Sequence, residues 1–359
     1  MVSPSTFRKK LYHWSSLHPR KDPWIEERDP YRIWISEVLL QQTRSDQARS
    51  RYISFLKRFP TLNSLANAKE EAVLLQWQGL GYYARAKNLL RAARILESDY
   101  NGIFPQTLAA LSTLPGIGSY TAAAIASFAF GHPTAVIDGN VIRVLSRILG
   151  IPYLPDTSAL KASWQELAQR YLDKSAPARY NQAIMNFGAL QCKPAAPGCS
   201  DCPFAIYCEA HRSGRIRDYP AKKKKLPRHE RHFNYFLMVD PDGKCAIHQR
   251  DHDDIWGGLH QLPMIETSNK TEAADFDDYR LKDAFPWILH PTRPEFLASK
   301  TAVLSHQLVH CIFYRLSCHA HSAKIKPLLS FENTQNLVNF AFPSVLRRFI
   351  TDSLKKGLC

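Results

Sequence analysis

The sequence predicts a mainly α-helical protein that ends in a smaller α+β domain. Three observations carry this. Apolar residues recur at helical spacing through the first two-thirds of the 359 residues. No alternating strand pattern occurs before about residue 230. After residue 231 the period becomes two: Phe233, Tyr235, Leu237 and Val239 alternate up to the turn Asp240-Pro241-Asp242-Gly243, and Cys245-Ala246-Ile247 begins a return strand. The length suits two domains, and a hydrophobic content of 45% is enough to bury real cores.

Residues 5–17 read as a short amphipathic helix with Phe7, Leu11 and Trp14 on one face, broken by Lys21-Asp22-Pro23-Trp24. Asp29 is placed to cap the next helix, with Pro30 at its first position. That helix carries Ile33, Trp34, Val38, Leu39 and Leu40, holds Glu37 inside the apolar run, and leads into Gln41-Gln42-Thr43. Further helices are predicted near 46–58, 61–66, 69–76, 82–99, 106–112, 118–130, 138–148, 157–172 and 178–187. Gly79-Leu80-Gly81-Tyr82-Tyr83 makes a sharp turn between two of them. Leu114-Pro115-Gly116-Ile117-Gly118 is a Gly-rich turn into an Ala-rich helix. Gly116 and Gly118 are expected to permit positive φ and close approach to a phosphate, which the free N–H groups of the helix start then face. Residues 212–231 hold nine Lys or Arg against Asp218 and Glu230, with Pro220 and Pro227, and read as a basic linker. A further strand over about 308–318 and a helix over 342–355 complete the chain. The expected domains are 1–216, a linker at 217–230, and 231–359.

A formal net charge of +15 and a pI of about 9.5 point to an anionic partner, nucleic acid before an acidic membrane surface. No apolar run reaches the ~18 residues of a membrane span, and the N-terminus lacks the apolar region of a secretory signal. Cys245, Cys311, Cys318 and Cys359 are scattered, but Cys192, Cys199, Cys202 and Cys208 form a C-x6-C-x2-C-x5-C loop. Such a group reads as metal binding rather than a disulfide framework. Four thiolates can enclose a zinc ion or an iron–sulfur cluster, and the single C-x2-C pair favours the cluster. Two carboxylates also stand out. Glu37, amid apolar residues, is expected to be buried with a raised pKa. Asp138, at a helix start before Gly139-Asn140, is expected to be held ionised by free N–H groups. Taken alone, Glu37 reads rather as a surface helix carboxylate and Asp138 as an ordinary N-cap.

The stretch Trp34 to Thr43, Gly79 to Tyr83, the Leu114 to Tyr120 hairpin, Asp138-Gly139-Asn140-Val141 and the cysteine spacing, in this order, resemble the adenine DNA glycosylase (MutY) family of the endonuclease III superfamily. The match is strong over residues 1–225. It is weaker beyond, through Trp256-Gly257-Gly258-Leu259 and Leu304-Ser305-His306. The resemblance implies a two-lobed helix-hairpin-helix fold with one [4Fe–4S] cluster on Cys192, Cys199, Cys202 and Cys208, and a C-terminal Nudix-like α+β domain. It implies a monofunctional base-excision repair enzyme that removes adenine from A:8-oxoguanine or A:G mispairs in double-stranded DNA and leaves an abasic site.

Breaking an N-glycosidic bond calls for a neutral acid at the base and an ionised carboxylate beside the cationic sugar, the logic of paired carboxylates. The resemblance assigns Glu37 as the acid protonating adenine N7 and Asp138, with Asn140 in the same motif, as the group beside the sugar. Tyr120 stands where bifunctional relatives carry a nucleophilic Lys, so strand cleavage is not expected. Gln42 and Leu80 match the wedge that fills the gap left by a flipped base, with Tyr82 against the bases. Gly116 and Gly118 match the phosphate grip, and Trp24 the adenine pocket. Ser305 and His306 match the loop that reads 8-oxoguanine, with Leu304 replacing the usual Phe. The family's Leu-Pro-Trp-Arg reads Asp22-Pro23-Trp24-Ile25 here. A monomer in a bacterial cytoplasm, on the nucleoid and not on a membrane, is the expected setting. A thymine or oxidised-pyrimidine glycosylase of the same superfamily and a non-catalytic iron–sulfur DNA-binding protein are the competing readings. Tyr120 with the C-terminal domain argues against the first, and retention of both carboxylates argues against the second.

Overall fold

The computed structural model describes residues 2–43, 45–152, 154–221, 227–240, 242–288, 290–317 and 329–357. Lys222 to Lys225 of the basic linker, Pro241 of the hairpin turn, and Cys318 and Cys359 lie outside these. The chain divides into two compact units: residues 1–68 with 88–224, and residues 69–87 with 225–359. The first boundary after the helices falls close to the expected linker, but residues 69–87 group with the C-terminal part. Nothing in their own sequence marks this, because it follows from what they pack against.

The helices, in chain order, are α1 (Pro4–Leu17), α2 (Pro30–Leu40), α3 (Ser45–Arg58), α4 (Leu62–Ala66), α5 (Glu70–Gln76), α6 (Ala84–Tyr100), α7 (Leu108–Ser112), α8 (Ser119–Phe130), α9 (Gly139–Leu149), α10 (Ser158–Tyr171), α11 (Pro177–Leu190) and α12 (Glu209–Arg212). Every helix expected before residue 190 is present, with ends shifted by a few residues. Local chemistry sets the boundaries. The Thr107 and Thr157 hydroxyls accept backbone N–H bonds at the starts of α7 and α10. Gly131 and Gly150 end α8 and α9 in the left-handed conformation that glycine adopts without cost.

Within the first unit, one core joins α1 to α9, α10 and α11 through Phe7, Leu11, Trp14, Val144, Leu145, Trp164, Tyr180 and Phe187, and takes in Phe204 and Cys208 of the cysteine loop. The three apolar residues read on one face of α1 are all buried there. On the other side, α2 packs against α3 and α8. The helical unit is therefore two-lobed, with α8 and α9 on opposite lobes and α11 touching both.

The second unit contains a mixed sheet built from β1 (His229–Val239), β2 (Lys244–Gln249), β3 (His260–Gln261), β4 (Met264–Thr267), β5 (Glu295–Val303), β6 (Gln307–Ser317) and β7 (Leu329–Asn333), with α13 (Asp278–Ala284) and α14 (Ser344–Lys355). The main path runs β3-β2-β1-β6-β5, with β4 on β1 and β7 on β2. β1 and β6 are parallel, in register from His229↔Gln307 to Val239↔Ser317. The alternation read from the sequence is real: Phe233, Tyr235 and Leu237 bury one face under Leu346, Phe349 and Ile350 of α14. The intervening Phe236 and Met238 are buried as well, on the opposite face with Leu281, Phe285 and Trp287. Helices cover the sheet on both sides, which is why β1 reads as a nearly continuous apolar run. Among the described residues, no helix is long and apolar enough to cross a membrane.

Candidate active site

Glu37 occupies the middle of α2. Asp29 caps that helix by accepting the Tyr31 N–H at 2.9 Å, and Pro30 stands at its first turn. Because α2 is wedged between α3 and α8, its whole central stretch is buried, and Glu37 is only 5% exposed. Burial pushes its carboxyl from an ordinary 4.5 up to about 7. The Tyr120 O–H, donating to Oε2 at 2.5 Å, opposes the rise, and the nearby Asp138 charge adds to it. At neutral pH a large fraction of Glu37 is thus a neutral acid.

Asp138 is the N-cap of α9. Its Oδ1 accepts the Val141 N–H at 2.8 Å and its Oδ2 accepts from Asn140 Nδ2 at 2.6 Å. Arg143, one turn along α9, donates to Asn140 Oδ1 at 2.7 Å, to the Gly188 carbonyl at 2.8 Å and to the Cys192 carbonyl at 2.8 Å. The expectation that N–H groups hold Asp138 ionised needs correction in one respect. Burial raises its pKa, and the Val141 and Asn140 donors, with Arg143, pull it down without cancelling the rise. An opposite charge arriving beside it would favour the carboxylate further.

Glu37, Tyr120, Asp138 and Asn140 line one cavity of about 350 Å³, together with Trp24 and Arg20. That volume lies in the range of small-molecule pockets. Trp24 is held edge-on against Tyr52, with ring centroids 5.7 Å apart. Asp22, which departs from the expected motif, is buried between two guanidinium groups. It pairs with Arg20 and with Arg49, the latter at 2.5 Å. Ile25 also lines the cavity.

Cys192, Cys199, Cys202 and Cys208 all face one small cavity of about 20 Å³ and none is in a disulfide. Arg147, only 4% exposed, secures the start of the loop by donating to the carbonyls of Lys193 at 2.7 Å and Pro194 at 2.9 Å. Burial pushes the Cys202 thiol up to about 12, and Cys199 and Cys208 rise for the same reason. Four crowded thiols, one buried and three half-buried, fit a group that takes thiolates and neutralises their charge.

The family of HhH-GPD superfamily base excision DNA repair proteins matches residues 35–170. Over 268 residues the chain is 32% identical to an adenine DNA glycosylase of Buchnera aphidicola subsp. Baizongia pistaciae, covering 73% of this chain and 75% of that protein. The chain belongs to the adenine DNA glycosylase family. The human adenine DNA glycosylase is 40% identical over 215 residues, 57% of this chain and 39% of that protein. A thermostable thymine-DNA glycosylase of known structure aligns with a TM-score of 0.53 and 27% identity, over 58% of this chain and 97% of its own. The chain is thus a DNA N-glycosylase with the helical fold of base-excision repair.

In this glycosylase the remaining sequence-selected residues fall into two groups. Gly116 has φ of +78°, and a Cβ there would come within 2.8 Å of Asn88 Cβ, so only glycine fits. Gly118 does not share that conformation. It is the N-cap of α8 with φ of −82°, extended backbone open to any residue, and the expectation of positive φ fails there. Gln42 follows α2, exposed, with φ of +57°. Leu80 and Tyr82 belong to the second unit. Leu80 is buried at its turn, whereas Tyr82 is half-exposed, and its hydroxyl shares a 2.6 Å hydrogen bond with Ser305 Oγ. Ser305 and His306 are exposed at the tip joining β5 to β6.

Arg143 and Gly188 were not legible as site residues. Arg143 looks like any solvated helix arginine until its partners, up to 49 positions away, are known. Gly188 lets α11 approach α9: a Cβ there would sit 2.6 Å from Asn140 Cβ and 3.1 Å from its carbonyl oxygen. Gly188→Ala is expected to push Asn140 off Asp138, cost ~1–3 kcal/mol in stability from overpacking and lower base release at least tenfold. Thermal unfolding and single-turnover assays on the purified variant check this. An unchanged rate would mean that the Asn140 contact is dispensable.

Proposed function

We propose that this glycosylase hydrolyses the bond between adenine and deoxyribose where adenine is mispaired with 8-oxoguanine or guanine in duplex DNA. The observation that carries the reading is a protonatable, buried Glu37 on the same cavity wall as Asp138. Glu37 donates its proton to adenine N7, the N-glycosidic electron pair leaves with the base, and positive charge grows on the sugar. Asp138 faces that charge, which itself favours the ionised carboxylate. Asn140 keeps Asp138 aimed, and Tyr120 keeps Glu37 aimed. Water then adds at the sugar carbon, its released proton restoring the Glu37 acid, and an abasic site remains. Tyr120 offers no amine for a covalent sugar adduct, which supports a monofunctional reaction.

Trp24 is assigned to the wall of the adenine pocket. Gln42, Leu80 and Tyr82 are assigned to filling the stack, and Gly116 and Gly118 to gripping a phosphate. Cys192, Cys199, Cys202 and Cys208 would hold one [4Fe–4S] cluster, whose contribution would be to order the loop that carries Lys193 and leads into α12 with Arg212. The second unit, a mixed sheet covered by helices, serves as a Nudix-like reader. Ser305 and His306 contact the N7–H and O8 edge that distinguishes 8-oxoguanine from guanine. A monomer in the cytoplasm is the setting this reading takes.

Ser305→Ala is expected to reduce the preference for A:8-oxoguanine over A:G by about tenfold, the size of one lost hydrogen bond, with little change on A:G itself. Equal losses on both duplexes would remove Ser305 from lesion reading. The assignment as a whole is tested on a panel of duplexes carrying A:8-oxoguanine, A:G, A:T and thymine mispairs. Strands should break at the adenine only after alkali, and only in the first two. Release of a pyrimidine, or scission without alkali, would overturn it.

A further inference from the structure

The second unit holds a group of side chains that the glycosylase reaction does not use. His232 on β1 and His310 on β6 are directly opposite each other in the parallel register, so both rings project from the same face. The rings stack with centroids 4.9 Å apart and planes within 15°. Glu230, two residues before His232, points to that face as well, and its carboxylate lies 3.4 Å from His310 Nε2. One ligand atom from each of the three residues falls within 4.8 Å of the others. His232 Nδ1 is buried and has no hydrogen-bond partner among the described residues. A buried ring nitrogen left unpaired is costly, and two parallel imidazoles gain little from each other alone.

We infer that Glu230, His232 and His310 form a binding site for a divalent transition ion of the zinc class. Two imidazoles and a carboxylate are a ligand set zinc takes, with a fourth position left to water. Tetrahedral zinc with bonds of about 2.0 Å separates its ligand atoms by about 3.3 Å. The His310–Glu230 spacing already meets this, and the 4.8 Å limit is closed by rotation about side-chain bonds. Glu230 is largely exposed, which gives the ion a way in and its carboxylate the freedom to swing. The three ligands are anchored on two strands that hydrogen-bond along their whole shared length, so the site is preorganised in its two histidines.

The location gives the site a consequence. His229, one residue before Glu230, donates its N–H to the His306 carbonyl at 2.9 Å, and Arg228 donates to the Leu304 carbonyl at 2.9 Å. β6 begins at Gln307. An ion bridging Glu230, His232 and His310 would therefore clamp the strand ends that carry the Leu304–His306 tip. The inference stands on the ligand geometry and does not depend on which base the enzyme removes.

The test is zinc binding by the full-length, cluster-loaded protein, with Zn²⁺ supplied alone at controlled free concentration and counted per chain after equilibrium dialysis. Cluster absorbance is followed in parallel so that zinc entering the cysteine loop is recognised. The parent is expected to take up one more zinc per chain than His310→Gln or His232→Gln, with at least a tenfold loss of affinity in each. Glu230→Gln, at an exposed position that leaves the fold intact, should weaken binding by a similar factor. Zinc should raise the melting temperature of the parent and not that of the variants. Equal zinc content and affinity in the parent and Glu230→Gln, with His310→Gln folded and also unchanged, would overturn the site.

Discussion

Glu37→Gln is expected to lower adenine release by at least about a thousandfold while making the protein more stable, not less. The rate loss follows from removing the proton donor, within the ~10²–10⁴ range for a general acid and at the upper part because the other carboxyl lining the cavity, Asp138, is committed to the sugar cation on this reading. The stability gain follows from burial. Below about pH 4.5 the carboxyl is protonated in folded and unfolded chains alike and carries no penalty. As pH rises towards about 7, the unfolded chain releases the proton and the folded chain keeps it, so folding is progressively disfavoured. Above that range the penalty is complete, ~3 kcal/mol for a shift from 4.5 to about 7. Glutamine never ionises, and its carbonyl can still accept from Tyr120. The variant should melt above the parent at pH 8 and level with it near pH 4.5. Thermal melts across that range check the claim. A variant that is both inactive and destabilised at pH 8 would mean that Glu37 is a structural residue.

Asp138→Asn separates chemistry from capping. Asp and Asn are nearly equal as N-caps, so the Val141 N–H keeps an acceptor and α9 keeps its start. What disappears is the negative charge that faces the sugar cation. A loss of about a thousandfold, ~4 kcal/mol of transition-state stabilisation, is expected under single-turnover conditions. Binding to a mispaired duplex should remain within a few-fold of the parent. If the variant keeps a rate within tenfold, Asp138 is only a helix cap.

Much of the fold was legible from local patterning. The helix starts at Asp29-Pro30 and Asp138, the apolar face of α1, and the alternation of Phe233, Tyr235 and Leu237 all reappear as read. They were readable because the cause lies within a few residues of the effect. The elements that were missed depend on distant partners. β5 is an edge-like strand whose residues are mostly exposed or half-buried, so it shows no apolar stripe. β7 and β3 acquire their extended form by pairing with β2. In α13, only Leu281 is buried, too little for a helical period to register.

The candidate site divides the same way. The burial of Glu37 follows from its place among apolar residues, and the gathering of the four cysteines around one cavity follows from their spacing. Asp22 looked like a departure from a motif, and its buried pairing with Arg20 and Arg49 became visible only in three dimensions. Gly118 shows the reverse failure: two glycines in one turn suggested one shared conformation, and only Gly116 adopts it.

On the proposed mechanism a buried, neutral Glu37 supplies the proton for base release. The most direct test is the single-turnover rate on an A:8-oxoguanine duplex measured from pH 5.5 to 9 with enzyme in excess. The predicted profile is level at low pH and falls tenfold per pH unit on the alkaline side, with a midpoint near 7 where Glu37 loses its proton. A rate that stays constant across this range, or climbs through pH 7, would contradict the claim.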